Sequence, residues 1–295
     1  MRLLTTLFIS LLFCSAQAQN ILDKSFKFYQ GGELKEAQVL IDSALTSELY
    51  AAENVTWYLK GFVYKDLFKE SQNEPQAEDL RKTSLAAFRQ LIKMDTSGQY
   101  KEEVIQNLKF LATTYYNDAM RLLKQLDFRG ANTFYSNFIA IYSPINDGSF
   151  SLLDSELKFH LAVGSGYVQK QKSDYLNDYS QLAIAAFEHV LQLDSMNKDA
   201  NYNIGVIYYN EAVNRILQLD YDDIDILAFG KFEDETIALF KKSLPYMRRA
   251  YQTDDQDKNI LEGLAGIHFS LREFEISDKY KRELSAIEGS NSKGG

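Results

Sequence analysis

The sequence predicts an all-α protein, a solenoid of about six antiparallel helix pairs of which some are elongated. Three observations predict this fold class. A pattern of large, small and aromatic residues recurs at helical spacing, a second pattern of a small and a bulky residue follows each copy, and only three prolines occur in 295 residues. Proline disrupts helix interiors, so its scarcity suits a chain made mostly of helices.

The first pattern has a small residue at its centre, a large residue four positions earlier and an aromatic residue three positions later. Its copies are centred on Ser25, Gly61, Ala112, Gly164, Gly205 and Ala265. Spacings of three and four place these residues on one helix face. Glycine costs a helix about 1 kcal/mol relative to alanine, so glycines in matching positions indicate that a second helix packs closely there.

The second pattern is a small residue followed four positions later by a bulky one. Its copies begin at Ala37, Ser84, Ala131, Ala183, Ser243 and, less clearly, Ser277. Several copies are followed by an aspartate and a small or polar residue, as at Asp95, Asp194 and Asp254. Such residues are typical of helix ends and turns, so each second helix is expected to stop there.

The ordered alternation of the two patterns resembles the tetratricopeptide repeat over nearly all of residues 20–286. The resemblance implies stacked helix hairpins whose first helices line a concave groove for a protein or peptide partner. The first and last copies are degenerate, as terminal capping repeats often are. The sequence departs from the repeat in lacking the proline that commonly closes it.

The distance between the two small positions predicts the height of each hairpin. It is about 12 residues in an ideal repeat of about 34. The distances here are 19 residues from Ala112 to Ala131 and from Gly164 to Ala183, 23 from Gly61 to Ser84, and 38 from Gly205 to Ser243. Seven added residues lengthen each helix of a hairpin by about one turn. The tallest hairpin is therefore predicted between Gly205 and Ser243, with its tip at residues 219–235.

The first 18 residues have the composition of a secretory signal peptide. Arg2 precedes an apolar run from Leu3 to Cys14, and Ala16-Gln17-Ala18 is a small-x-small cleavage site. We expect cleavage before Gln19 and a periplasmic or secreted mature protein. Lipid attachment at Cys14 is the alternative, and the bulky Phe13 before the cysteine disfavours it. Cys14 is the single cysteine, so the mature chain would have none.

The remaining chain is divided by a Pro- and Gly-containing segment. Repeats 1–3 are predicted over residues 19–142, an inter-half loop over 143–155, repeats 4–6 over 156–286 and a disordered tail over 287–295. After the leader, no apolar stretch approaches the ~20 residues that span a bilayer. The net charge of −9 repels nucleic-acid phosphates and anionic lipids, so nucleic-acid partners are not expected.

The first helices carry the predicted binding residues, because the resemblance implies that they face the groove. Positions three before, one after and four after each small residue share this face, which is rich in tyrosine. Tyrosine combines a large apolar ring with a hydroxyl and is common at binding surfaces. The predicted partner-binding residues are Tyr58, Phe62, Lys109, Tyr116, Asn117, Tyr202, Tyr209 and Asn210. The alternative is that these aromatic rings cover the core.

No catalytic residue, cofactor or metal site is predicted. His160, His189 and His268 are assigned to three different repeats, and two of them occupy packing positions of the first pattern. The acidic residues at 220–225 invite a calcium site, but Asp225 and Lys231 stand where a calcium loop needs glycine and glutamate. A solvated hairpin tip is therefore preferred there.

The predicted function is a non-catalytic protein- or peptide-binding scaffold, with a place in an envelope assembly. The alternative is a glycan-binding helical-repeat protein, suggested by the aromatic content of 13%. A hydrolase is a distant third, because helical spacing alone does not create the cleft with paired carboxylates that it requires. The sequence leaves open the identity of the partner, the choice between periplasm and medium, the oligomeric state and the role of the 212–240 insertion.

Overall fold

A computed structural model describes residues 21–71, 75–174, 177–220 and 225–291, without the side chains of residues 290 and 291. The predicted leader, the Gln19 cleavage point and most of the acidic stretch lie outside these residues. Within them every regular element is helical. No helix of this part of the chain combines the length and apolar character needed to cross a membrane.

The helices follow one another as hairpins, with one short additional helix. The first pair is α1 (21–30) with α2 (Leu34–Ala44), followed by the short α3 (Glu48–Ala51). The next pairs are α4 (Asn54–Glu70) with α5 (Ala77–Met94), and α6 (Lys101–Lys124) with α7 (Phe128–Tyr142). A 3₁₀ turn (Ser143–Ile145) precedes α8 (Leu152–Ser173) with α9 (Ser180–Leu193), α10 (Lys198–Gln218) with α11 (Ile226–Thr253), and α12 (Lys258–Ser270) with α13 (Phe274–Asn291).

The small residue of the first pattern lies against the bulky residue of the second pattern in the same pair. The Phe88 ring lies over Gly61, and a Cβ added to Gly61 would stand 2.6 Å from Phe88 Cδ1. Phe187 covers Gly164 in the same way, with Cε1 2.6 Å from an added Cβ. The all-α fold of tetratricopeptide-like helix pairs is confirmed, because the two patterns meet as predicted.

Buried serines link the helices of four pairs. The hydroxyl of Ser84 donates to the Gly61 carbonyl at 2.8 Å, and that of Ser243 donates to the Gly205 carbonyl at 2.7 Å. The equivalent bonds are Ser277 to Ala265 at 2.8 Å and Ser25 to Ala37 at 3.0 Å. Each serine thus satisfies its own hydroxyl with a backbone carbonyl of the other helix of its pair.

The chain forms two compact units. The first comprises residues 1–119 with 132–147, and the second comprises 120–131 with 148–295, as far as these residues are described. One boundary falls inside the loop predicted at 143–155. Residues 120–131 group with the second unit, since the Phe128 ring stacks on Tyr167 with centroids 3.9 Å apart and also covers Gly166.

Arg81 organises the interior of the first unit. Its side chain is only 3% exposed, and it pairs with Glu78 at 2.5 Å and with Asp118 at 2.8 Å. The guanidinium also lies 3.7 Å from the centroid of the Tyr115 ring. Because both carboxylates and the ring surround one charge, the buried cation is well satisfied.

The elongated hairpins are confirmed, with a correction to the tallest one. Helix α11 has 28 residues and α10 has 21, whereas α12 has 13. The tip predicted at 219–235 is shorter, since α11 already begins at Ile226. The carboxylate of Asp225 accepts a hydrogen bond from the Ala228 amide at 2.8 Å, so it caps the helix at this point. Gly230, which suggested a turn, lies within the helix.

The tail predicted at 287–295 is also corrected in part. Helix α13 continues to Asn291, and residues 292–295 lie outside the described residues. Leu284 and Ile287 pack against the core of the second unit. Apolar burial on one face therefore keeps this helix regular beyond residue 286.

Candidate functional site

The predicted partner-binding residues fall into two groups, one in each unit. Tyr58, Phe62, Lys109, Tyr116 and Asn117 belong to the first unit, and Tyr202, Tyr209 and Asn210 belong to the second. The two groups are described separately below.

The aromatic residues of α4 are engaged in packing within the first unit. The Tyr58 ring lies 4.6 Å from that of Phe62 and 5.0 Å from that of Tyr100. Its hydroxyl donates to Glu103 at 2.9 Å, and burial together with this bond raises the pKa of Tyr58 to about 12. Phe62 is only 9% exposed and meets Phe88 edge-on, so it offers little surface to a partner.

Two lysines of the first unit have intramolecular partners. Lys65 is buried, donates to the side chain of Asn107 at 2.9 Å and lies 4.3 Å from the Phe62 ring centroid. Burial lowers the pKa of Lys65, because the charged form loses hydration. Lys109, one of the predicted residues, pairs with the exposed Asp147 at 2.8 Å. Its charge is therefore already offset within the unit.

Tyr116 and Asn117 differ in their exposure. Tyr116 is half-buried, with its ring 6.3 Å from that of Tyr135 and 5.3 Å from that of Phe138, and this burial raises its pKa. Asn117 is exposed. In this unit the aromatic residue contributes to packing, and the neighbouring amide is the accessible group.

The tyrosines of α10 also pack against the core of the second unit. Tyr202 and Tyr209 both contact its main cluster of buried residues, and the Tyr209 ring lies 5.6 Å from that of Phe240. The Tyr209 ring also covers Gly266, where an added Cβ would stand 2.7 Å from the hydroxyl. Burial raises the pKa of both tyrosines. The alternative that aromatic rings cover the core thus describes much of this group.

Asn210 remains accessible and lies in a polar groove. This groove has a volume of about 710 Å³ and is formed by α8, the start of α9 and α10. Its polar lining includes Gln171, Asn210, Asn214 and Arg215. Such side chains can form hydrogen bonds with the backbone of an extended peptide. Asn210 therefore remains a candidate partner-binding residue.

A second groove arises from the unequal heights of neighbouring hairpins in the second unit. Helix α11 extends beyond the short α12–α13 hairpin, and residues 226–235 contribute no buried side chain. Between α11 and the turn that joins α12 to α13 lies a groove of about 710 Å³, which we call the step groove. Its apolar lining includes Ile216, Phe229, Phe232, Ile237, Phe269 and Phe274.

The step groove exposes large apolar side chains. Phe269 is 56% exposed, Phe274 is 54% exposed and Phe229 is 41% exposed. The rings of Phe269 and Phe274 meet edge-to-face with centroids 5.6 Å apart. Contiguous exposed apolar residues mark interaction surfaces in soluble proteins. Charges of both signs lie at the edge, where Arg272 pairs with Glu233 at 2.7 Å.

Sequence reasoning missed the step groove although a signal for it was present. The insertion between Gly205 and Ser243 contains the apolar residues Ile226, Leu227 and Phe229, and none of them occupies a position of the two repeat patterns. The next hairpin is short. Apolar residues in an insertion that outgrows its neighbour would have indicated an exposed patch.

The assignment of the histidines to three different repeats is wrong. His160 on α8 and His189 on α9 belong to the same pair, and their ring centroids lie 4.0 Å apart. Glu156 lies one turn before His160, and its Oε1 is within hydrogen-bond distance of His189 Nε2, at 2.9 Å. The helices are antiparallel, so residues before Gly164 face residues late in α9. His268 is fully buried beside Glu273, as expected for a packing position.

Comparison with known proteins finds only distant likenesses among solved structures. No family model and no curated protein matches the sequence. The MamA protein is 14% identical with a TM-score of 0.33, covering 78% of this chain and 95% of its own. PilW, a type IV pilus biogenesis factor, is 15% identical with a TM-score of 0.32, covering 91% and 92%. The TPR domain of P58(IPK) is 12% identical with a TM-score of 0.26, covering 95% and 100%. Because these TM-scores are all low, the fold assignment depends on the helix pairs described above and not on these likenesses.

Proposed function

We propose that this protein is a non-catalytic scaffold that binds a protein partner, and that the step groove receives an apolar segment of that partner. The exposure of Phe229, Phe269 and Phe274 around one groove carries the proposal. Burying apolar area stabilises by about 25 cal/mol per Å². Large aromatic side chains at the centre of an interface contribute most of its binding energy.

The shape and charge of the step groove favour a short amphipathic helix as its occupant. A helix presents apolar residues at spacings of three and four and fits grooves lined by other helices. The wall is aromatic, while Lys241 and Arg272 lie beside Glu233 and Glu273 at the edge. A partner helix with an apolar stripe and charges of both signs beside it would match this arrangement.

Export is part of the proposal and comes from the sequence of residues 1–18. A periplasmic or secreted scaffold in an envelope assembly combines this leader with a partner-binding groove. N-terminal sequencing of the protein recovered from cells would support the proposal by finding Gln19 first. Recovery of a chain that still starts at Met1 would refute cleavage.

The partner-binding site is tested by photo-crosslinking in the native cells. A photoreactive residue replaces Lys241 at the edge of the step groove, and the crosslinked proteins are identified with and without the double substitution Phe269→Ser, Phe274→Ser. We expect a discrete partner that disappears in the double variant. The control is Val39→Ser, which removes an apolar residue of the other unit that is also more than half exposed.

Two results would overturn different parts of the proposal. If the double variant retains the partner while Asn117→Asp or Asn210→Asp loses it, the scaffold function stands and the site belongs to the predicted amide positions. If no partner is crosslinked from position 241, and none from a photoreactive residue placed at Asn210 in the polar groove, the scaffold function itself fails. Nothing in the described residues favours the glycan-binding alternative, and a glycan array would test it directly.

A further inference from the structure

The α8–α9 hairpin brings two imidazoles and one carboxylate together at its surface. Glu156 and His160 are four residues apart on α8 and therefore share one helix face. His189 approaches them from α9. Each of the three residues offers one ligand atom, and these atoms lie within 4.8 Å of one another.

We propose that Glu156, His160 and His189 form a binding site for a divalent transition metal ion, with zinc as the best match. Zinc takes imidazole nitrogen and carboxylate oxygen as ligands and prefers four-coordinate geometry. Three protein ligands leave one position for water. Magnesium and calcium prefer all-oxygen ligand sets, so this donor set disfavours them.

The geometry of the cluster suits metal binding. The ring centroids of His160 and His189 lie 4.0 Å apart, and Glu156 Oε1 lies 2.9 Å from His189 Nε2. A bound ion would take the place of the contact between His189 and Glu156 and would join all three side chains.

The surroundings hold the ligands while leaving access for an ion. Phe159 is buried and meets the His160 ring edge-on with centroids 5.4 Å apart. The contact of Phe187 with Gly164 fixes the two helices one turn away. His189 and Glu156 are each 37% exposed, so a hydrated ion can reach them from solvent. Binding would join α8 to α9 across the open face of this hairpin.

Calorimetric titration with zinc chloride alone tests the site. The full chain is prepared without a polyhistidine tag and treated with a chelator before titration. We expect one zinc ion per chain and a loss of affinity of at least about 100-fold in His160→Asn, His189→Asn, because losing even an outer-shell partner costs 10–100-fold. Glu156→Gln should weaken binding less, since both imidazoles remain.

The controls separate this site from general binding to an acidic surface. Lys158→Ala changes an exposed residue of the same helix and retains all three ligands, so its affinity should equal that of the unmodified chain. His268 is present in every variant. Cobalt substitution should give the intense visible absorption of a four-coordinate ion, and this should vanish in the double histidine variant. Far-ultraviolet circular dichroism checks that each variant is folded.

The proposal is overturned if the unmodified chain takes up no zinc, or if the folded double histidine variant takes it up with unchanged affinity. A cobalt spectrum of a six-coordinate ion would equally refute the four-coordinate geometry proposed for the site. None of these results depends on the step groove, so the metal site and the proposed scaffold function can fail separately.

Discussion

The contact between Gly61 and Phe88 makes Gly61→Ala a sharp test of how the hairpins pack. An added Cβ would lie 2.6 Å from Cδ1 and 2.8 Å from Cζ of the Phe88 ring. Phe88 is fully buried and meets Phe62 edge-on at 5.3 Å, so its ring cannot move without disturbing buried neighbours. The helices must separate or the rings must leave their rotamers.

The magnitude follows from two opposing effects. Alanine gains about 1 kcal/mol over glycine in a helix interior. Overpacking a well-filled core costs about 1–3 kcal/mol. Gly61→Ala should therefore lower the free energy of unfolding by up to about 2 kcal/mol. At Gly205 an added Cβ meets the flexible end of Met247 at 3.1 Å, so Gly205→Ala should be near neutral or slightly stabilising.

Gly230 supplies the matched control. It lies within α11 with no atom near the position of an added Cβ, so Gly230→Ala reports helix propensity alone. Urea denaturation followed by circular dichroism measures the three variants, and Phe88→Leu is added to Gly61→Ala to relieve the contact. The reasoning is refuted if Gly61→Ala is as stable as Gly230→Ala, or if Phe88→Leu fails to recover any of the loss.

Three further predictions use contacts of the first unit. Ser84→Ala removes the hydrogen bond to the facing glycine carbonyl and should cost about 1 kcal/mol in urea denaturation; an unchanged midpoint would contradict it. Arg81→Met leaves two partly exposed carboxylates without their buried partner and should cost about 2–3 kcal/mol. The control is Lys82→Met, which removes an exposed cation from the same helix and should change the free energy of unfolding by less than about 0.5 kcal/mol. If Arg81→Met and Lys82→Met change stability equally, the burial of Arg81 does not matter. Burial and the hydrogen bond to Asp42 raise the pKa of Tyr64 from 10.0 to about 12. The unfolded chain therefore loses this proton first, and stability should fall as pH rises from about 10 to 12. Tyr64→Phe should show a flatter decline in thermal melts over that range, and an identical decline would refute the assignment.

The small and bulky positions of each pair could be predicted because their geometry is local. Spacings of three and four place Gly61 on one face of α4, and the same rule places Phe88 on one face of α5. Since each hairpin must bury both faces, the two residues meet. No tertiary information beyond pairing of consecutive helices is needed.

The metal-ligand cluster depends on register, which the sequence patterns determine only if the repeats are divided correctly. Assigning His189 to another repeat than His160 separated residues that antiparallel pairing brings together. Once Gly164 is aligned with Phe187, stepping back along α8 from Gly164 and forward along α9 from Phe187 brings the two histidines together.

The step groove and the limits of α11 could not be obtained from any single hairpin. The groove requires a tall hairpin beside a short one, so it is a property of their order in the chain. Gly230 and the acidic residues before it suggested a turn. The Asp225 cap and the exposed position of Gly230 allow a helix instead, since glycine weakens a helix without ending it.

The buried serines described above also distinguish the correct alignment of two paired helices from one in which a helix is displaced along its partner. A hydroxyl reaches only one carbonyl, so if α5 slid along α4 by one residue, Ser84 would be buried without an acceptor. Such an orphaned group costs about 1–3 kcal/mol. Chains composed of similar segments tend to misassemble during folding. Serine in the small position thus acts as a check on alignment that alanine, equally small, cannot provide.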